Sequence, residues 1–227
     1  DYAEWGAYEE AITMLNSCTK AWPMLSYYKA YYLSLKHTPE ADKTGMRPVK
    51  AEQSGGLAGG FETEKSGEID HILAQAEGCR PDYCFPNKPE DIAVLSFAIR
   101  RGCQAKAPYY LGCLYYDRLQ WQESVRLWEI SARADDAFPT VHRNLALAYY
   151  NKCKEPEKAR REMEKAFALN SSDARIFLEL DQLHKKLGCS FEERLADYEA
   201  HTELLEGRDD LYIEYITLVN LTGNPGK

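Results

Sequence analysis

Between residues 106 and 221 apolar side chains recur at i, i+3, i+4 and i+7, in segments of 13 to 15 residues separated by Gly, Pro and Asp. The pattern predicts helices at 106–118, 121–134, 139–152, 156–169, 173–187, 191–205 and 209–221. Asp173 is placed to cap one of them and Gly188 to end it. Further helices are expected at 23–37, where Pro23 is tolerated in the opening turn, at 67–77, and at 89–101. The apolar set Ile92, Leu95, Phe97 and Ile99, with Ala93 and Ala98, suits a helix packed on more than one side. No strand-like alternation is needed to account for the chain, and the expected fold class is all-α.

The helices repeat. Tyr109-Tyr110-Leu111-Gly112-Cys113-Leu114-Tyr115-Tyr116 returns 34 residues later as Arg143-Asn144-Leu145-Ala146-Leu147-Ala148-Tyr149-Tyr150. Steps of 35 residues then reach Leu180–His184 and Tyr215–Val219. In the second halves, Ser124, Trp128 and Ser131 fall in step with Ala159, Met163 and Ala166, and with Arg194, Tyr198 and His201. Small residues at Gly112, Ala146, Ala159 and Ala166 are expected where paired helices approach closely. The extra residue in two of the repeats is expected at the turns near Lys154-Glu155-Pro156 and Gly188-Cys189-Ser190.

This spacing and residue order resemble the tetratricopeptide repeat (TPR), a helix–turn–helix of 34 residues. The resemblance implies an α-solenoid of stacked antiparallel helix pairs, a TPR-like right-handed superhelix. Arg80–Asn87, Ala107–Gly112 and Leu180–His184 are also similar to the C-terminal TPR array of large bacterial multidomain proteins. That narrower resemblance implies upstream domains in the same chain.

The expected organisation has four parts: residues 1–37, a partial repeat and the first helix of the next; 38–66, a glycine-rich insertion loop; 67–105, irregular TPR-like helices; and 106–227, TPR units with the last truncated. The segment opening the chain (Gly6, Tyr8, Ala11, Leu15) reads as the second half of a repeat, and 209–221 as a first half. Both ends therefore look cut.

The 227 residues carry 28 basic and 36 acidic side chains, a formal charge of −8. That balance argues against a phosphate-binding nucleic-acid face. No apolar run is long enough for a bilayer-spanning helix. Seven cysteines, odd in number and without a CxxC pair, point to reduced thiols and a cytoplasmic setting. Cys79 and Cys84 are close enough in sequence to bridge if oxidised.

Chemistry is thinly represented. The five histidines form no HxxxH or HExxH pair, and Gly55–Gly60 lacks the lysine-serine pair and preceding strand of a phosphate loop. No catalytic, metal or cofactor site is expected. Asp181 stands where the motif has a small close-packing residue, and a hydrogen bond to a neighbouring helix is the expected reason.

In the TPR family the first helices line a concave groove, which implies contacts through Lys106, Tyr109, Tyr116, Arg143, Asn144, Tyr150 and Arg175. The bland alternative is that the tyrosines only pack within the array. Of the family's carboxylate-clamp positions, Asn144 and Arg175 match, whereas Tyr109, Cys113 and Glu179 replace the rest, which removes cations and adds an anion. The expected function is a non-catalytic interaction scaffold for a protein, a peptide or upstream domains of its own chain. The rival is a structural appendage of a bacterial multidomain enzyme, carbohydrate-related, with its active site upstream.

Overall fold

The computed structural model describes residues 5–18, 22–37, 59–81 and 84–223. Among these the secondary structure is helical throughout: α1 (Tyr8–Ser17), α2 (Pro23–His37), α3 (Gly59–Gly78), α4 (Pro89–Arg100), α5 (Lys106–Asp117), α6 (Trp121–Ala134), α7 (Pro139–Ala148), α8 (Pro156–Leu169), α9 (Ala174–Leu187), α10 (Phe191–Ala200) and α11 (Asp209–Leu221). None of them is long and apolar enough to cross a membrane. Packing divides the chain into two compact units, residues 1–131 and 132–227.

Helix ends follow local chemistry. Proline opens α2, α4, α7 and α8, where a missing N–H costs nothing. The Asp173 carboxylate accepts from the N–H groups of Arg175 (2.9 Å) and Ile176 (3.2 Å). Ser190 and Glu193 exchange reciprocal bonds in a capping box at the start of α10. Gly188 ends α9 at φ 81°, the left-handed region that favours glycine.

Three boundaries depart from the sequence expectations. Helix α3 begins at Gly59, so residues 59–66, expected as loop, are helical. Past Gly60 the segment Phe61–Lys65 has two glutamates and a lysine, which are good helix formers outweighed in the reading by nearby glycines. The remainder of the expected loop, 38–58, lies outside the described residues.

Second, the extra residue near Lys154 is absorbed mostly inside the helix. Tyr149–Cys153 forms a π-helical turn after α7, and Lys154 follows at φ 61°. Third, α10 stops at Ala200, and a 3-10 helix, Thr202–Gly207, carries the chain to α11. All seven cysteines are free, Cys79 and Cys84 included.

In the first unit the core gathers Tyr27, Ala76, Leu95, Ala98 and Tyr110, all fully buried. The rings of Tyr27 and Tyr110 meet edge to face at 6.2 Å. The Ala105 side chain cannot cap α5, and Glu77 of α3 does so instead. Its carboxylate accepts from the N–H groups of Ala105 (2.9 Å), Lys106 (3.0 Å) and Ala107 (2.8 Å), and from the Tyr27 hydroxyl (2.6 Å). A charged acceptor on three orphan donors is favourable both for hydrogen bonding and for the helix dipole.

In the second unit α7 to α11 pack around Leu145, Met163, Phe177, Tyr198, Leu211 and Leu218. Leu145, only 2% exposed, occupies the repeat's large apolar position. Leu145→Ala is expected to destabilise the protein by roughly 2–5 kcal/mol, from lost transfer energy and the cavity left behind. A thermal or denaturant melt indistinguishable from wild type would contradict that register.

Candidate functional site

Helix pairs close on one another through a fixed set of contacts. In the pair α5/α6, Ser124 Oγ donates to the Gly112 carbonyl at 2.8 Å, Trp128 Nε1 to that of Tyr109 at 3.1 Å, and Ser131 Oγ to that of Ala105 at 2.5 Å. A Cβ on Gly112 would lie 2.6 Å from the Trp128 ring, so the approach demands glycine there. The equivalent pair α7/α8 uses Ala146 and Ala159, both buried.

The pair α9/α10 replaces the two small residues by a charge pair. Arg194, 1% exposed, donates from Nε and Nη2 to the two carboxylate oxygens of buried Asp181 at 2.7 and 2.8 Å. The Tyr198 hydroxyl also donates to Asp181 (3.1 Å), and Arg194 reaches Glu214 of α11 at 2.6 Å. Burial works against the Arg194 charge, yet the bonds to Asp181 and Glu214 hold its pKa above the ordinary guanidinium value. Asp181 thus makes the interhelical hydrogen bond expected of it. Arg194 is the partner that sequence reading missed; an acid and an arginine together at two paired small-residue positions was the available signal.

Burial also pushes the Glu214 carboxyl up, but hydrogen bonds and charge from Arg194 and Lys185 outweigh it and hold the pKa below 4.5. Lys185 Nζ donates to Glu214 at 2.9 Å.

The sequence-predicted groove residues fall in both units. In the first, Lys106 begins α5 under the Glu77 cap, Tyr109 is buried, and Tyr116 lies against Trp128 with ring centroids 5.3 Å apart. Tyr109 is packed within the unit, whereas Tyr116 is half-buried.

In the second unit Arg143 and Arg175 converge on Glu179. Arg143 binds both Glu179 oxygens, its Nε at 2.5 Å, and donates from Nη1 to Asn144 Oδ1 at 3.3 Å. Arg175 Nε reaches Glu179 at 3.3 Å, and Lys186 Nζ sits 5.4 Å from the centre of the Tyr150 ring. Arg143 is 17% exposed and ties α7 to α9, because Glu179 on the next first helix offers it a bidentate partner.

A second surface was not anticipated. In the first unit an open cleft of about 900 Å³ runs between α1, α2, α4 and the connector leading into α4. Tyr8, Tyr28, Tyr31 and Tyr32 form its wall, with ring centroids 5.6–6.1 Å apart along the series. Trp22 and Phe85 stand at its margin, 39% and 78% exposed. Asp91 anchors the floor: it accepts from the N–H groups of Asn87 (2.8 Å) and Lys88 (2.9 Å) and from the Tyr28 hydroxyl (2.6 Å). Burial first, then the Asp91 bond, pushes the Tyr28 hydroxyl above its ordinary pKa and keeps it a donor. The tyrosines of α2 are visible in the sequence, but their proximity to Tyr8 and Phe85 is a product of packing.

Other groups are spent on structure. His142 is buried, with Nδ1 2.6 Å from Glu162 and Nε2 3.1 Å from the Asp136 carbonyl. Burial pushes the Cys103 thiol up to about 12, with the charges of Glu77 and Asp70 adding to it, so it is no thiolate nucleophile near neutral pH. Among the described residues no cluster of His, Cys, Asp or Glu is arranged to hold a metal ion.

No family model matches the chain. Among solved structures, YrrB, a TPR protein with an unusual peptide-binding site, is 18% identical over 71% of this chain and 76% of its own, with a TM-score of 0.48. A MamA protein is 12% identical over 89% of this chain and 92% of its own, at 0.49. TTC0263, a thermophilic TPR protein of Thermus thermophilus, is 14% identical over 96% and 93%, at 0.47. Within each unit of this chain the described helices pack mainly against their neighbours in sequence.

Two outcomes are expected of the buried charges. Arg194→Ala strands Asp181 and costs about 3–5 kcal/mol, whereas the double variant Asp181→Ala/Arg194→Ala, which recreates the small–small contact of α7/α8, costs less. A double-mutant cycle on denaturant melts measures the difference. Because the folded pKa of Glu214 is lowered, its pairing stabilises fully above about pH 4.5 and is lost as pH falls through the folded value. Glu214→Gln is therefore expected to flatten the acid limb of a stability–pH profile.

Proposed function

We propose that this chain is a non-catalytic scaffold that holds a polypeptide partner, and that the aromatic cleft of the first unit is where it holds it. The cleft carries the reading: it brings six aromatic side chains to one open concavity, with a hydrogen-bonded acid at the floor and charged side chains, Lys88 and Glu90, beside it. Tyrosine and tryptophan offer large contact area for few torsions frozen, which is the composition of interface hot spots. The tyrosine rings brace one another, so little ordering remains to be done on binding.

The α7–α9 face with Arg143, Asn144, Tyr150 and Arg175 ranks second. Its two arginines already satisfy Glu179, and Tyr150 has Lys186 over its ring. A ligand there would have to displace those pairings.

The test is selection of peptides from a random displayed library against the whole chain, followed by affinity measurement on two variants. Trp22→Ala/Phe85→Ala truncates exposed side chains at the cleft and is expected to weaken binding by about thirtyfold or more, the loss typical of hot-spot truncation. Its melt is expected to stay within about 0.5 kcal/mol of wild type, as for surface changes. Arg175→Ala, on the other face, is expected to leave affinity unchanged. The reverse ranking would move the site to α7–α9, and failure to select any peptide would speak against a polypeptide partner.

A further inference from the structure

The aromatic cleft of the first unit suits one form of polypeptide better than others. Tyr28, Tyr31, Tyr32 and Leu35 recur on α2 at i, i+3, i+4 and i+7, and all four line the cleft, so one face of that helix is a strip of rings. The strip is stiff. Tyr32 has Tyr8, Tyr28 and Tyr31 around it at 6.1, 5.6 and 6.0 Å, with ring planes inclined by 34°, 55° and 44°. Tyr31 leans in addition on Phe97, with centroids 5.6 Å apart.

The acid at the floor is already served. Asp91, 5% exposed, accepts from the main-chain N–H groups of Asn87 and Lys88 and from the Tyr28 hydroxyl. With three donors supplied by the protein itself, it demands no cation from a ligand. The Lys88 ammonium and the Trp22 indole N–H, which also belong to the lining, can only donate.

A bound peptide brings main-chain N–H groups, and each needs an acceptor once it leaves water. A β-strand finds its acceptors on a sheet edge, but among the described residues the secondary structure is helical throughout, so no such edge borders the cleft. A polyproline II helix avoids the demand. Proline has no N–H, and its carbonyl oxygens are acceptors for groups that only donate. Flat pyrrolidine rings rest well on aromatic rings, and a chain that is already stiff loses little entropy when it docks.

We propose that the partner's docking segment is proline-rich and lies in the cleft as a polyproline II helix, an assignment that rests on the cleft being where a polypeptide is held. The tyrosine strip of α2 carries the prolines, and Trp22 and Phe85 flank them at the margin. Lys88 and the Trp22 indole donate to prolyl carbonyls. The α7–α9 face, whose arginines are paired with Glu179, takes no part.

The test is titration of the whole chain into fluorescently labelled decaproline, read by anisotropy. Two controls of equal length run beside it, a glycine-serine repeat and an alanine-rich helix former with leucines at i, i+3, i+4 and i+7. Decaproline is expected to bind and both controls to fail. Replacing alternate prolines by glycine, which removes the stiffness, is expected to weaken binding about tenfold or more. Trp22→Ala/Phe85→Ala is expected to cost a similar factor. Should the double variant lose helicity, Phe85→Ala alone serves, since that side chain is 78% exposed.

Decaproline that binds the variant as tightly as wild type overturns the proposal, because its site is then elsewhere. So does decaproline that fails to bind while the helix former, or a proline-free peptide selected from a library, binds and is lost with Trp22→Ala/Phe85→Ala. That second result leaves the cleft a polypeptide site with a different occupant. If no peptide of any kind binds at the cleft, the site and its proline-rich occupant fall together.

Discussion

The close approach of paired helices at one repeat position is the constraint on which the remaining packing depends. At Gly112 the backbone of α5 comes so near Trp128 that no side chain fits, and Ser124 uses the proximity to bind the glycine carbonyl. Ala146 and Ala159 meet the same constraint with two methyl groups. Asp181 and Arg194 meet it differently, with a bidentate ion pair that Tyr198 and Glu214 complete. Desolvating that pair is costly, and the bonds made by Arg194 Nε and Nη2 and by both Asp181 oxygens offset it.

Most groups that resemble binding chemistry in the linear sequence are committed to folding. Glu77 is a helix cap, Asp91 organises the turn into α4, His142 bridges Glu162 and a main-chain carbonyl, and Arg143 joins successive first helices through Glu179. The cleft of the first unit, by contrast, is lined largely by aromatic side chains, Tyr8, Trp22, Tyr28, Tyr31, Tyr32 and Phe85.

The helical architecture was legible because repeat and amphipathic period agree. From α4 onward the expected helices fall within a residue or two of the observed ones, apart from the π turn after α7 and the early end of α10. The cap at Asp173 and the left-handed Gly188 were equally legible, being matters of local geometry. The start of α3 was not, because the glycines near it pulled the reading toward loop. At the candidate contacts Tyr109 is buried, Tyr116 lies against Trp128, and Arg143 is ion-paired with Glu179, none of which local sequence could show.

Sequence alone determined what is local and periodic: helix pairs, their register, the capping residues and the close-packing positions. These depend on side-chain size and spacing within some 35 residues, which a linear reading preserves. Tertiary structure alone decided which charges were already taken and where aromatic rings gathered. Glu77 meets Ala105 across 28 positions, Tyr28 meets Asp91 across 63, and Arg143 meets Glu179 across 36. A side chain's partner at such separations is set by how helices pack, and until that is known an arginine that binds a ligand and one that binds its neighbouring helix read the same.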